Sequence, residues 1–223
     1  MYNLSVPKII NKLNNMGKRS KLLVFFIVIA VVAVLTIFIV RNGQNKSTPD
    51  KTIAYSTNSP SEKKPNKNTY KWVGSPDEPK YITLPTINAG GFVQKVGVDQ
   101  NNQIAVPDNT HMAGWFSDSV KPGSQGLSII DGHVSGRINS DGIFRDLVKL
   151  KIGDKFDVEL GNGKKLNYKV TQIVQVPTKN APSVLFSQDP KSKSQLNLIT
   201  CGGKFNLQTK QYDDRIIVYS ELS

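Results

Sequence analysis

The sequence contains few of the residues that most often build reactive or metal-binding sites. It has one cysteine, Cys201, and two histidines, His111 and His133. A single cysteine cannot form a disulfide within the chain, so other interactions must hold the fold. The loop acids form no recognisable ligand set and are interpreted as solvated surface residues: Asp141, Asp189, Asp213 and Asp214. We therefore predict no metal site and no cofactor.

Acidic residues are absent from residues 1–21, which hold five Lys or Arg. Residues 41–71 hold seven Lys or Arg and only two acids, whereas residues 72–223 hold seventeen Lys or Arg against fifteen acids. The formal net charge of +12 therefore belongs mainly to the N-terminal part. Since the C-terminal part lacks the basic excess that nucleic-acid binding requires, we predict no nucleic-acid partner.

Long apolar runs are also missing, with one exception at residues 22–40, which carry no charge. A helix of this length matches the thickness of the hydrocarbon core. A buried core helix would need protein on every side, and a cleaved signal peptide would be shorter and end in small residues. We predict an uncleaved, single-pass anchor in the cell membrane. The basic residues before it place the N-terminus in the cytoplasm and the folded part outside the cell.

Residues 41–70 are dominated by Asn, Ser, Thr, Lys and Pro. Such a stretch buries too little apolar surface to offset its ordering entropy, so we predict a flexible linker. The predicted organisation is a basic cytoplasmic tail over residues 1–21, a transmembrane anchor over 22–40, the linker over 41–70 and a folded domain over 71–223.

The C-terminal part consists of short β-branched runs separated by Gly, Pro, Asn and Asp, without long helical periodicity. Short helical turns are expected near residues 111–116 and 142–147. Many short strands with turn-rich connections favour a single closed, eight-stranded, all-β barrel. The eight predicted strands are residues 81–84, 92–96, 103–106, 127–131, 155–160, 166–176, 196–201 and 216–219.

Three side chains at the ends of predicted strands form a candidate thiol acyl-transfer site. Cys201 ends an apolar run and precedes two glycines. A free thiol is only a few per cent thiolate at neutral pH, so it needs a base or a positive partner. His133 follows an apolar strand, whereas His111 lies in a predicted loop. Arg215 cannot act as a base, but its guanidinium can donate to a developing oxyanion.

Each of these residues also has a simpler interpretation. A lone cysteine at a strand end is usually a small buried hydrophobe. His133 could be a loop histidine with a local hydrogen bond, and Arg215 could form a surface salt bridge with Asp213 or Asp214. Two observations favour the reactive interpretation. An unpaired cysteine outside the cell is open to oxidation, and the flanking glycines permit close approach of a substrate.

The segment from Leu198 to Gly203, with the sequence LITCGG, resembles the Thr-Cys signature of sortases, the cell-wall transpeptidases of Gram-positive bacteria. The resemblance extends over about residues 81–220. The Cys201-Gly202-Gly203 segment followed by Phe205 is most similar to the class F pattern, and next to that of class E or D. Further segments that carry the resemblance, in order, are ITLP at 82–85, GWF at 114–116, GHV at 132–134, FRDL at 144–147 and KIGD at 151–154.

This resemblance implies roles for four residues. Cys201 is expected to be the nucleophile, His133 the proton donor to the leaving amine, and Arg215 the group that stabilises the tetrahedral intermediate. Thr200 is expected to position the substrate. The family fold is an eight-stranded barrel. Its members cleave an LPXTG-type sorting signal on surface proteins, hold the acyl fragment as a thioester, and transfer it to an amine of a peptidoglycan precursor or a pilin.

Two positions depart from the family pattern. Asn197 stands where the signature usually has Thr, away from the chemistry. Asp131 directly precedes Gly132 and His133, and a turn cap is favoured over a role in orienting the imidazole. Two other functions stay open: a non-catalytic, envelope-anchored binding barrel with an inert cysteine, and a cysteine peptidase in which water accepts the acyl group.

Overall fold

The computed structural model describes residues 60–136 and 141–223, together with Gly17, Leu22 and Ile29. The predicted cytoplasmic tail, anchor and most of the linker lie outside these residues. Among the described residues, no helix has the length and apolar character needed to cross a membrane. The chain divides into two compact units, Met1–Lys51 and Thr52–Ser223, and the fold described below is that of the second.

Eight strands close into a barrel in the order β1-β2-β3-β4-β7-β8-β6-β5, which confirms the all-β barrel prediction. Neighbouring strands are antiparallel except for two parallel pairs, β2 with β3 and β4 with β7. The strands are β1 Pro79–Leu84, β2 Ala89–Val96, β3 Ala113–Phe116, β4 Gly126–Gly132, β5 Lys155–Leu160, β6 Lys165–Pro177, β7 Ser194–Asn206 and β8 Gln211–Leu222.

The interior of the barrel follows from the alternation of side chains along each strand. Ile130 on β4, Leu198 on β7 and Val218 on β8 point inward and belong to one large apolar core. The rings of Phe156 and Tyr168 stack in this core with centroids 5.6 Å apart. Since these side chains are shielded from water, their burial is the main favourable contribution to the barrel.

A second apolar cluster, the outer cluster, lies on the outside of β4, β7 and β8. Its buried members are Phe116, Ile129, Ala181, Leu185 and Ile217. Two of these, Ala181 and Leu185, come from a short α-helix, Ala181–Leu185, that follows a 3₁₀ turn after β6. This helix lies in the connection between β6 and β7, where no helix was predicted. The outer cluster therefore joins this connection to the outer face of the barrel.

One predicted strand is wrong. Residues 103–106 do not form a strand, since Ile104 makes only an isolated bridge with Val98. The eighth strand is β3, over residues that were predicted as a helical turn. β3 has strands on both sides, β2 and β4, so its backbone groups are paired in spite of the low β-propensity of its Ala and Gly. Residues 142–147 do form turns, and a 3₁₀ helix Leu147–Lys149 follows.

The described residues before β1 contact the barrel. Ser61 exchanges backbone hydrogen bonds with Asp108 and Thr110, of 2.7 and 2.9 Å. The Asn109 side-chain amide donates to the Lys63 carbonyl at 3.0 Å. Residues 61–63 are therefore held against the loop between β2 and β3.

We expect Leu198→Ala to lower the free energy of unfolding by about 2–5 kcal/mol, because it leaves a cavity in the barrel core. Leu198 is 0% exposed, whereas Ile152 is 71% exposed. Ile152→Ala is the matched control, with an expected change below about 0.5 kcal/mol. Urea unfolding followed by circular dichroism measures both. Equal losses in the two variants would contradict the packing described for the core.

Candidate active site

A groove with a volume of about 360 Å³ lies over the outer cluster. Its walls are mostly apolar and come from the loop after β2, from β3 and from the short helix. Its polar side chains include Asp131, Thr178, Cys201 and Arg215. The apolar lining residues are Val98, Ile104, Val106, Phe116, Ala181, Pro182, Leu185, Phe186 and Ile199. The groove therefore suits an extended segment with apolar side chains and places four polar groups beside it.

Cys201 and Arg215 face each other across the β7–β8 pair. Both lie on the outer face, since Cys201 alternates with Ile199 and Arg215 with Ile217 of the outer cluster. The thiol is free and partly exposed. Regular pairing is interrupted beyond Gly202, and Gly203 has a φ of +76°, a conformation that favours glycine. The two glycines therefore turn the backbone aside just after the cysteine.

The Arg215 guanidinium is held by neutral oxygens. Its Nη1 donates to Thr178 Oγ1 at 3.0 Å and to the carbonyls of Tyr212 and Asp214 at 3.2 and 2.9 Å. The surface salt bridge considered from the sequence is not formed, because the partners are these oxygens instead of the carboxylates of Asp213 or Asp214. The positive charge of Arg215 is thus positioned in the groove without being neutralised there.

His133 follows directly after the end of β4. β4 and β7 are parallel and pair as far as Asp131 opposite Ile199, and continuing this register for two residues predicts His133 level with Cys201. His133 Nε2 is 2.8 Å from the Pro107 carbonyl. Because a carbonyl only accepts, Nε2 carries the proton and Nδ1 is the nitrogen left for proton transfer. Burial lowers the pKa of His133, and the hydrogen bond to Pro107 opposes this effect.

Burial also raises the pKa of the Cys201 thiol, while the Arg215 charge lowers it and Asp131 raises it further. The thiol pKa is thus raised and the imidazole pKa lowered. At pH 7 the pair is therefore mainly neutral thiol and neutral imidazole. The thiolate–imidazolium form is a minority species, and Arg215 is the positive charge that favours it.

Thr200 also lines the groove, between Ile199 and Cys201 on β7. Its hydroxyl is buried and donates to the Gly132 carbonyl at 2.7 Å. This hydrogen bond joins β7 to the end of β4. Its donor, Thr200, directly precedes Cys201, and its acceptor, Gly132, directly precedes His133. Thr200 therefore fixes the spacing of the two strands at the point where the thiol and the imidazole lie.

Two polar side chains and one backbone carbonyl near the groove were not predicted to belong to a site. Thr178 accepts from Arg215 and donates to the Asp213 carbonyl at 2.9 Å. Asn197 is buried, and its amide donates to the Leu185 carbonyl at 2.7 Å, which holds the short helix over the groove. Pro107 contributes only a backbone carbonyl, for which no side-chain signal exists.

Asp131 is the third polar residue whose position was not foreseen. It lies inside β4, so the turn-cap interpretation is wrong. The side chain is buried, and within the described residues its Oδ1 has no hydrogen-bond partner. Burial raises the pKa of Asp131 well above its usual value, and its own backbone N–H opposes this effect.

Within residues 60–136 and 141–223, no group of three or more His, Cys, Asp or Glu side chains could hold a metal ion. The groove instead has a thiol, a guanidinium and a carboxyl in its lining, and the His133 imidazole follows directly after the lining residue Gly132. These are the groups of nucleophilic and acid–base chemistry.

We expect the stability of the Asp131→Asn variant, relative to that of wild type, to increase as the pH rises above about 4. Unfolded aspartate loses its proton near 3.8, whereas folded Asp131 keeps it to much higher pH. Between these values the folded state binds more protons, so wild-type stability falls with rising pH. The Tm difference between variant and wild type should grow by at least ~3 °C between pH 4 and pH 8.

Thermal unfolding at several pH values measures this difference. Asp157→Asn on β5, a strand adjacent to neither β4 nor β7, is the matched control for loss of one carboxyl. A Tm difference for Asp131→Asn that is the same at all pH values would show that the buried carboxyl is not held neutral.

The family model for the sortase domain matches residues 82–223. Sortase A from Corynebacterium diphtheriae is 22% identical, with a TM-score of 0.50, and the match covers 67% of this chain and 62% of that one. Sortase C-1 from Actinomyces oris is 23% identical over 64% of this chain and 70% of that one, with a TM-score of 0.49. A search of curated proteins found no match.

The likeness to the Corynebacterium diphtheriae structure supports the barrel fold alone, whereas the family model matches the sequence itself. The family model begins at Ile82 in β1 and extends through β8. The four residues to which the resemblance assigns roles lie within it: His133, Thr200, Cys201 and Arg215. Since the sortase domain accounts for well over half of the chain, this protein belongs to the sortase family.

Proposed function

We propose that this sortase is a membrane-anchored cysteine transpeptidase. In this proposal it cleaves an LPXTG-type sorting signal through a thioester and transfers the surface protein to an amine of a peptidoglycan precursor or a pilin. The observation that carries the proposal is the pairing of Cys201 with Arg215 across β7 and β8 in an apolar groove. The class within the family, F or else E or D, remains a prediction.

Acylation follows from the arrangement of the three groups. The Cys201 thiol gives its proton to His133 Nδ1, because Nε2 already carries a proton, which it donates in a hydrogen bond to the Pro107 carbonyl. The thiolate attacks the scissile carbonyl of the sorting signal and forms a tetrahedral oxyanion. The free N–H groups of the Arg215 guanidinium donate to this oxygen. Collapse breaks the C–N bond, and the imidazolium proton goes to the leaving amine.

Deacylation reverses these steps with a second amine. The incoming amine attacks the thioester carbonyl and loses a proton to the neutral imidazole. Arg215 again stabilises the oxyanion, and the C–S bond breaks. The imidazolium returns its proton to the sulfur, so the thiol and the imidazole are both regenerated. Three neutral oxygens hold Arg215 throughout, so the guanidinium need not leave an ion pair to act.

The proposed location rests on the sequence. Residues 22–40 form the anchor and the basic residues before them stay in the cytoplasm, which places the barrel outside the cell. The donors are then surface proteins that carry the sorting signal, and the acceptors are amines of the cell envelope. No nucleic acid and no cofactor enter the reaction.

We expect the full-length protein in detergent to cleave a fluorogenic LPXTG-type peptide and to form a covalent acyl adduct. Cys201→Ala should abolish both, and His133→Ala and Arg215→Ala should each lower kcat/KM by at least about 100-fold. Mass spectrometry of the protein detects the adduct, and a plate assay measures cleavage. Arg145→Gln is the control, since Arg145 pairs with Asp141 at the surface.

Two outcomes would contradict this proposal. Equal cleavage by wild type and Cys201→Ala would remove the nucleophile. Products that are only hydrolysed, with added amines never incorporated, would make the protein a peptidase that uses water.

We expect Arg215→Gln to raise the thiol pKa of Cys201, because Arg215 is the charge that lowers it. The rate of alkylation by iodoacetamide, measured against pH, reports the thiolate fraction. In the variant the rise in rate should shift to higher pH, while Arg145→Gln should leave the profile in place. Superimposable profiles for Arg215→Gln and wild type would show that the guanidinium does not act on the sulfur. Slow labelling independent of His133 would favour an inert cysteine in a binding barrel.

A further inference from the structure

Asp131 is a carboxyl in the groove that the proposed reaction does not use. It alternates along β4 with Ile130, which faces the core, so it lies on the same outer face as Ile129. Its neighbour on β7 is Ile199, and Cys201 is the next outward residue on that strand. Two residues along a strand span about 6.6 Å, so the carboxyl lies on the same face as the thiol and is offset from it by about this distance along the strand direction.

The carboxyl occupies a niche left by a missing side chain. Gly114 on β3 is paired with Asp131, and a Cβ at Gly114 would lie against Asp131 Oδ1. Oδ1 is shielded from solvent there and, within the described part of the chain, has no donor. Asp131 is also one of the residues that line the groove, so its carboxyl lies between this niche and the groove.

The surroundings favour a neutral carboxyl. Most side chains that line the groove are apolar. Within the described residues no ion pair joins Asp131 to the Arg215 guanidinium, whose Nη1 donates to Thr178, Tyr212 and Asp214. A buried charge without a partner costs several kcal/mol, so the proton is retained. A neutral carboxylic acid has one O–H, which is a donor. Because Asp131 lines the groove, this O–H is the donor that its carboxyl can offer to a molecule bound there.

We propose that Asp131, as a neutral acid, donates a hydrogen bond to a backbone carbonyl of the donor peptide bound beside Cys201. Asp131 is then a binding residue that sets the register of the sorting signal. This inference rests on the proposed function, since the occupant is the acyl donor. The carbonyl that it binds is not the one attacked, because Arg215 and not Asp131 faces the sulfur across the strand pair.

If Asp131 acts as a donor, two substitutions at this position should affect peptide binding differently. Asp131→Asn keeps a neutral donor of the same shape, whereas Asp131→Leu removes it. We expect Asp131→Leu to raise KM for the donor peptide about tenfold with kcat changed less than about threefold, because one hydrogen bond to the bound peptide is lost. Asp131→Asn should restore KM to within about threefold of wild type. KM for the amine acceptor should change in neither variant.

The pH dependence gives a second test that does not need the Leu variant to fold. The ionisable groups that line the groove with Asp131 are Cys201 on β7, whose pKa Asp131 raises, and Arg215 on β8. His133 follows Asp131 by two residues, and Gly114, the residue paired with Asp131 on β3, carries no charge. When Asp131 ionises at high pH, the donor is lost, so KM of wild type should rise on the alkaline side. KM of Asp131→Asn should stay flat over the same range, since its amide does not titrate.

The experiment compares wild type, Asp131→Asn, Asp131→Leu and the control Asp157→Leu as full-length proteins in detergent. Steady-state kinetics with an LPXTG-type peptide are measured from pH 6 to 10, with Tm recorded for each variant. Peptide binding is measured separately by fluorescence anisotropy in the Cys201→Ala background, where no cleavage occurs.

The expected result is weaker binding, about tenfold, only for Asp131→Leu. Equal binding by folded Asp131→Leu and its parent would overturn the inference. Loss of binding in Asp131→Asn as large as in Asp131→Leu would also overturn it, since a neutral hydrogen-bond donor at this position would then not be enough for binding. Failure of wild type to cleave any sorting peptide would instead refute the proposed function, and the anisotropy comparison would still decide the role of Asp131.

Discussion

The site depends on the position of β7 between one parallel neighbour and one antiparallel neighbour. β4 runs parallel to β7 on one side, and β8 runs antiparallel on the other. This arrangement brings the end of β4 to the same level as the end of β7 and the start of the apolar part of β8. Residues separated by 68 and 14 positions in the chain thereby meet, and the Thr200 hydroxyl locks the spacing with a bond to Gly132.

Desolvation controls the chemistry of the groove as much as position does. Burial disfavours the charged forms of Cys201, His133 and Asp131. The guanidinium is the exception, because it stays protonated and is surrounded by oxygens. A single fixed positive charge among three groups held neutral means that negative charge is favoured near Arg215, which is where the proposed reaction would form both the thiolate and the oxyanion.

Much of the barrel could be predicted because seven of its strands have strong apolar alternation and clear turn signals. β3 could not, since it is only four residues long, begins with Ala113 and Gly114, which disfavour strands, and is held by pairing with β2 and β4. Cys201, His133 and Arg215 were recognisable as rare residue types at strand ends. Asp131 and the Pro107 carbonyl were not, because burial and a backbone hydrogen bond arise from tertiary contacts that composition does not encode. The assigned roles of the site residues stay predictions.

The contacts of residues 61–63 bear on where a recombinant fragment of this protein should begin. They hold Asp108, Asn109 and Thr110, directly after Pro107, whose carbonyl receives the imidazole N–H. A fragment cut at residue 71, where composition changes, discards those bonds and frees the backbone that sets the histidine tautomer. Starting at residue 60 keeps them, so the choice of first residue in an expression vector decides whether His133 is supported as in the intact chain.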